Sequence, residues 1–167
     1  MTANRLFLAI PVRVYEYGQI QKDFSPFLEG RWRKKESLHI TIAFLGHQFN
    51  PDEVIEKLSS FNWMFEISEL SRFDYFSNSR VFVATTQNPT LQYLYDKLAL
   101  VLGLETTKLN PHVTMMRVKH IQDATAFSAK LTSEHVPIGV LESKITLFQS
   151  HLYPTGAEYE VLKEWIL

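Results

Sequence analysis

Hydrophobic and polar positions along the chain change period several times, and each change marks an element. Leu6 to Val12 is apolar at almost every position, as a buried strand would be, with Pro11 near its end. From Tyr15 to Leu28 the apolar spacing lengthens to three and four (Tyr17, Ile20, Phe24, then Phe27 or Leu28), which predicts a helix closed by Gly30. After a basic stretch, Leu38 to Leu45 reads as a strand bounded by Gly46. Asn50-Pro51-Asp52-Glu53 is a helix start, with a capping side chain, a proline in the first turn and acids that favour the dipole; that helix should run to about Ser60.

Two β segments, Trp63 to Phe76 and Arg80 to Thr86, flank Ser77-Asn78-Ser79 and predict a hairpin. Asn88-Pro89-Thr90 starts a second capped helix through Leu91, Leu94, Tyr95, Leu98 and Leu102, stopped by Gly103. Pro111 to Val118 is the next strand, Gln122 to Leu131 a weaker helix, and Ile138 to Leu152 a strand of mixed periodicity. Pro154-Thr155-Gly156 makes a turn before a last strand, Tyr159 to Leu167. The helices are too few to separate all the strands, so a mixed α+β fold with mainly antiparallel sheets is expected, not a doubly wound parallel one.

With 167 residues and no Pro/Gly/Ser linker, residues 1–167 should form a single domain. A content of 46% hydrophobic and 21% charged residues excludes a disordered or coiled-coil chain. Lys and Arg number 17 against 18 Asp and Glu, a balance that argues against non-specific gripping of long duplexes but leaves room for a short anionic substrate. The absence of cysteine removes disulfides, thiolate metal sites and a thiol nucleophile. No apolar run reaches membrane-spanning length and the opening lacks a signal-peptide pattern, so no membrane association and a cytoplasmic location are expected.

The chemistry concentrates in one triplet that occurs twice. His39-Ile40-Thr41 and His112-Val113-Thr114 lie in separate strands, 73 residues apart. Six His and twelve Thr predict only about 0.4 such triplets by chance, and both lie in apolar strand contexts. In a regular strand His39 and Thr41 share one face while Leu38, Ile40, Ile42 and Phe44 share the other; His112 and Thr114 likewise oppose Val113 and Met115. Two imidazoles that titrate near neutrality make an acid/base pair without a metal, and two hydroxyls can donate to non-bridging phosphoryl oxygens. Opening a cyclic phosphate fits this set: one ring activates water while the other protonates the departing ribose oxygen.

The stretch from Gly30-Arg31-Trp32 through Ser37-Leu38-His39-Ile40-Thr41-Ile42-Ala43-Phe44-Leu45-Gly46 resembles the two-histidine (2H) phosphoesterases. So do Pro111-His112-Val113-Thr114-Met115-Met116-Arg117 and the tail with Leu147 to Leu152, Gly156, Tyr159 and Leu162. The likeness is greatest to the LigT-type RNA 2′,3′-cyclic phosphodiesterases, once called 2′-5′ RNA ligases, and covers nearly the whole chain in order. It implies a bilobed fold, two similar lobes of mainly antiparallel sheet with helices outside and an active-site groove between them. It further implies metal-independent, cofactor-free hydrolysis of a terminal 2′,3′-cyclic phosphate to a 2′-phosphomonoester, with reverse 2′-5′ ligation in some members. By the same resemblance His39 is the general acid, His112 the general base, and Thr41 and Thr114 bind phosphate.

Arg117, Phe44 and Trp32 are further substrate-binding candidates, although odd spacing from His112 puts Arg117 on the opposite face of a regular strand. Arg31, Arg33, Lys34 and Lys35 could guide RNA or form a solvated basic turn; Arg5 and Tyr153 are weaker candidates. His47, His120, His135 and His151 lack a partner pattern and read as surface or structural. The expected partner is RNA with a cyclic phosphate end or a cyclic nucleotide, bound by a monomer. Two rivals stand beside this reading. A metal-dependent hydrolase lacks a ligand signature, and a non-catalytic RNA-end binder would not need paired proton-transfer groups.

Overall fold

The computed structural model describes residues 5–133 and 137–167; residues 1–4 and the predicted surface histidine His135 fall outside them. Ten strands and four α-helices are described. In chain order they are β1 (Arg5–Val14), α1 (Tyr17–Phe24), β2 (Leu28–Trp32), β3 (His39–Gly46), α2 (Pro51–Lys57), β4 (Glu69–Leu70), β5 (Arg72–Phe76) and β6 (Val81–Thr85). They continue with α3 (Pro89–Leu102), β7 (His112–Ile121), α4 (Ala124–Ser133), β8 (Gly139–Leu141), β9 (Lys144–Tyr153) and β10 (Gly156–Ile166). The main sheet has the order β10-β9-β1-β3-β7-β6-β5, with β2 on β7, and β8 between β1 and β4; every pairing is antiparallel. This is the expected antiparallel α+β class.

The sheet narrows to one registered pair, Ile40 with Val113, where β3 meets β7. On one side lie β10, β9 and β1, on the other β6, β5 and β2, an arrangement consistent with the two-lobed plan. Both residues of that pair are fully buried, within one apolar cluster that draws Leu6, Leu8 and Ile42 from the first half and Phe82, Met115 and Phe127 from the second. Both capped helices form as expected. The Asn50 side chain accepts from the Asp52 amide at 2.9 Å and that of Asn88 from the Thr90 amide at 3.2 Å. No helix of the described residues is long and apolar enough to cross a membrane.

Several boundaries move. The first helix stops at Phe24 rather than Leu28, because Pro26 has no N–H to carry the helical ladder on past Ser25, whose own amide makes the closing bond to the Gln21 carbonyl. Of the apolar residues beyond the break, Leu28 opens β2 instead. Gly30 is therefore a strand residue, not a helix terminator, and it is needed for close approach: a Cβ there would lie 2.3 Å from the Arg117 carbonyl oxygen and 2.9 Å from the Met116 sulfur. Helix α2 ends at Lys57, the strand expected from Trp63 shrinks to Glu69–Leu70 and Arg72–Phe76, and the one expected from Ile138 divides into β8 and β9. Pro11 falls within β1, not at its end; it sits where that strand exchanges β9 for β8 as a neighbour.

Gly30→Ala should push β2 from β7 and cost about 1–3 kcal/mol, as overpacking does; a urea unfolding midpoint equal to that of the unsubstituted protein would show that β2 shifts freely.

Candidate active site

Both His-x-Thr triplets flank the single bridge between the halves. Antiparallel register about Ile40 and Val113 sets His39 across from Thr114 and Thr41 across from His112. Diagonal neighbours in such a pair stand about 7–8 Å apart, which is the relation of the two histidines. All four side chains line one cavity of about 170 Å³, with Arg33, Ser37 and Tyr159. The inward positions Ile40, Ile42, Val113 and Met115 are buried in the core on the other face.

The same local device orients each ring. Nδ1 of His39 lies 2.6 Å from the Ser37 carbonyl oxygen, and Nδ1 of His112 lies 2.8 Å from that of Asn110. A carbonyl oxygen only accepts, so Nδ1 carries the hydrogen in both rings and Nε2 is left to exchange a proton. Their surroundings differ. His39 packs among Phe7, Phe148 and Tyr159, with ring centroids 5.2, 5.8 and 5.4 Å away, whereas His112 meets the edge of Phe76 at 5.0 Å. Burial pushes the His39 pKa below its ordinary 6.5; the Ser37 bond opposes this, and the charges of Arg33 and His112 reinforce it.

A β-bulge follows each triplet and resets the alternation. In the β1–β3 ladder Leu8 pairs with Ala43 and Ala9 with Thr41, so Ile42 is extra; in the β6–β7 ladder Phe82 pairs with Met116 and Val83 with Thr114, so Met115 is extra. Ile42 and Ala43 are consecutively buried, as are Met115 and Met116. The residue after each bulged pair consequently turns outward. Phe44, expected on the core face, is 62% exposed and stacks on Phe7 beside His39. Arg117, expected opposite His112, is exposed on the same face as the histidine, although it does not line the cavity.

Of the basic cluster, Arg33 alone lines the cavity, while Lys34 and Lys35 are exposed on the short turn before β3. The backbone of Arg33 is fixed from both sides: its amide donates to the Met115 carbonyl at 2.8 Å, and the Tyr17 hydroxyl donates to its own carbonyl at 2.8 Å. Burial raises the pKa of that hydroxyl to about 12, so it stays a donor. Trp32 does not line the cavity; its ring meets Tyr17 and Phe82 edge-on. Arg5 and Tyr153 also lie outside it. His151 faces Glu160 at 3.4 Å, and His120 is exposed.

Ser37 and Arg33 are the cavity residues least legible in the sequence. Ser37 acts through a backbone carbonyl, which no residue type announces, and Arg33 stood among three other basic residues. Tyr159 was visible only through the family-like tail. A broader depression of about 710 Å³ beside α3, lined by Gln87, Asn88, Gln92 and Lys108 among others, contains no histidine. Among the described residues, no group of three or more His, Asp or Glu is placed to hold a metal ion.

An antiparallel fold that brings two oriented imidazoles and two hydroxyls to one small polar cavity is that of a two-histidine phosphoesterase. Residues 14–83 match the LigT-like phosphoesterase family model. The chain is 30% identical to an RNA 2′,3′-cyclic phosphodiesterase of Methanocaldococcus jannaschii, over 96% of this chain and 99% of that one. It is 28% identical to an RNA 2′,3′-cyclic phosphodiesterase of Thermotoga maritima, over 96% and 94%. The fold is similar to that of Escherichia coli LigT complexed with phosphate, with a TM-score of 0.70 at 22% identity over 100% of this chain and 99% of the other. The chain belongs to the LigT-like phosphoesterase family.

Because its folded-state pKa is depressed, His39 contributes stability that is present above pH 6.5 and lost as the pH falls through the lower folded value. Between pH 7.5 and 5 the unsubstituted protein should lose more stability than His39→Gln. Equal losses in paired urea titrations would contradict the burial assigned to this ring.

Proposed function

We propose that this protein is an RNA 2′,3′-cyclic phosphodiesterase that hydrolyses the terminal cyclic phosphate to a 2′-phosphomonoester by acid/base catalysis between His39 and His112. The observation that carries the reading is the pair of imidazoles, each fixed through Nδ1, flanking one cavity with two threonine hydroxyls. The names and near-complete coverage of the curated relatives support the same activity.

In the reaction, Nε2 of His112 takes a proton from water as the water oxygen bonds to phosphorus. The bond from phosphorus to O3′ breaks on the opposite side, and Nε2 of His39 gives its proton to that oxygen. The 2′ bond is retained. Thr41 and Thr114 donate to the non-bridging oxygens, where charge accumulates. The acid and base roles follow the family resemblance. Phe44, turned outward beside His39, offers a stacking surface to the terminal base. No step calls for a metal or cofactor; the reverse 2′-5′ joining uses the same groups with roles exchanged. The whole chain works as one domain and as a monomer, in the cytoplasm.

The depressed pKa of His39 couples its protonation to substrate binding. A protonated His39 is disfavoured in the free cavity, and the negative charge of a bound phosphodiester offsets the charge of Arg33 and favours it.

His39→Ala and His112→Ala should each lower kcat by about 10²–10⁴-fold on an oligoribonucleotide with a cyclic phosphate end, with the thermal transition retained. Thr41→Ala and Thr114→Ala should cost about 10-fold. A wild-type rate in either histidine variant would remove the mechanism, and a 3′-phosphate product would remove its regiochemistry. Both kcat and kcat/KM should give bell-shaped pH profiles whose limbs belong to the histidine pair. Whichever limb belongs to His39 should lie at lower pH in kcat/KM than in kcat; superimposable profiles would show that substrate does not raise the His39 pKa.

A further inference from the structure

Two arginines stand directly opposite one another beside the active-site cavity. Arg31 in β2 is the registered partner of Arg117 in β7. Like charges directly opposed across a ladder are destabilising, and a chain with 18 acidic residues has carboxylates enough to avoid the arrangement. Yet among the described residues none of Arg31, Arg33 and Arg117 is ion-paired with a carboxylate. The positive charge is left facing solvent.

The spacing gives that charge a direction. Arg33 and Arg31 are two residues apart, about 6.6–7 Å along an extended chain, and Arg33 already lines the cavity beside Thr114. From the phosphate site the basic groups therefore run outward, first Arg33, then the Arg31–Arg117 pair, with Glu29 on the same face of β2 ending the run. The Met115 bulge brings Arg117 to this face. The Arg31 guanidinium also donates to the Thr155 carbonyl in the β9–β10 turn, so that turn borders the track; a guanidinium carries five N–H donors, which leaves others to offer an anion. Arg33 is held in place by the Met115 carbonyl and the Tyr17 hydroxyl.

We propose that Arg33, Arg31 and Arg117 form a track for the internucleotide phosphates that precede the cyclic end, so the substrate is an RNA chain of several nucleotides and not a cyclic mononucleotide. The proposal rests on the phosphodiesterase reading and deepens it. A planar guanidinium holds a phosphodiester by two parallel N–H bonds, which suits a series of monoanionic phosphates. A cyclic mononucleotide has only the one phosphate in the cavity and would leave the opposed pair unsatisfied.

The test compares a pentaribonucleotide ending in a 2′,3′-cyclic phosphate with 2′,3′-cyclic CMP, over about 50 to 300 mM salt. It uses the unsubstituted protein, Arg31→Gln, Arg117→Gln and the control Lys97→Gln on the outer face of α3. The pentamer should show a KM at least about 10-fold below that of cyclic CMP, and a steeper salt dependence by about 0.7 in log–log slope per phosphate held. Each arginine variant should remove about 0.7 from the pentamer slope and raise its KM several-fold more than that of cyclic CMP, while Lys97→Gln does neither. Equal KM values for the two substrates, or arginine variants that weaken both alike, would overturn the track. If neither substrate is hydrolysed, the phosphodiesterase reading fails separately. Fluorescence anisotropy with the labelled pentamer then decides the track: arginine-dependent, salt-sensitive binding supports it, and absence of binding overturns it.

Discussion

The contact between Ile40 and Val113 is the constraint on which the rest depends. It is the one registered pair joining β3 to β7, and it holds the two halves of the sheet at the point where both triplets lie. A ladder one residue long contributes little through hydrogen bonds, at about 0.5–1.5 kcal/mol each. Burial of the two side chains is worth about 1.5–3 kcal/mol apiece and decides the matter. The core therefore fixes the register, and the register fixes which histidine faces which threonine. Because the pairing ends so soon, the strands diverge on either side and leave room for a cavity on the face opposite the core.

The second organising feature is repetition of one backbone figure. His39 to Leu45 and His112 to Val118 show the same sequence of half-buried, buried and exposed positions, with a bulge after each threonine. Each imidazole also bonds to the carbonyl two residues before it. The two figures meet about the Ile40–Val113 pair as an approximate twofold. Chemical difference enters at the equivalent outward positions: an aromatic ring, Phe44, on one side, and a charged one, Arg117, on the other. The aromatic half surrounds His39 and lowers its pKa, while the basic half carries the arginines. A substrate with a base at one end and phosphates along its length fits such a division.

Much of this was legible in the chain. The capped helices at Asn50 and Asn88 announce themselves through side chains that satisfy their own backbone. The His-x-Thr strands are visible because a period of two sorts polar from apolar positions. The pattern failed where backbone geometry departs from regular alternation. Regular alternation puts Phe44 and Arg117 on the faces opposite to those they occupy, since a bulge adds one residue without any residue type that marks it. The apolar spacing overstates the length of α1 because Phe27 and Leu28 keep the helical period after Pro26 has ended the helix. Trp32, an exposed platform in prospect, finds Tyr17 and Phe82 because β2 turns it inward.

By itself the sequence determined the mixed α+β class, the two imidazole–hydroxyl pairs and the chemistry those groups can perform, because these follow from composition, local period and side-chain type. Tertiary structure alone decided that the pairs share a cavity, that Arg33 joins them and Arg31 confronts Arg117, and that burial depresses the pKa of His39. Those properties depend on distances between segments remote in the chain and on exclusion of water, and neither is encoded in the spacing of neighbouring residues.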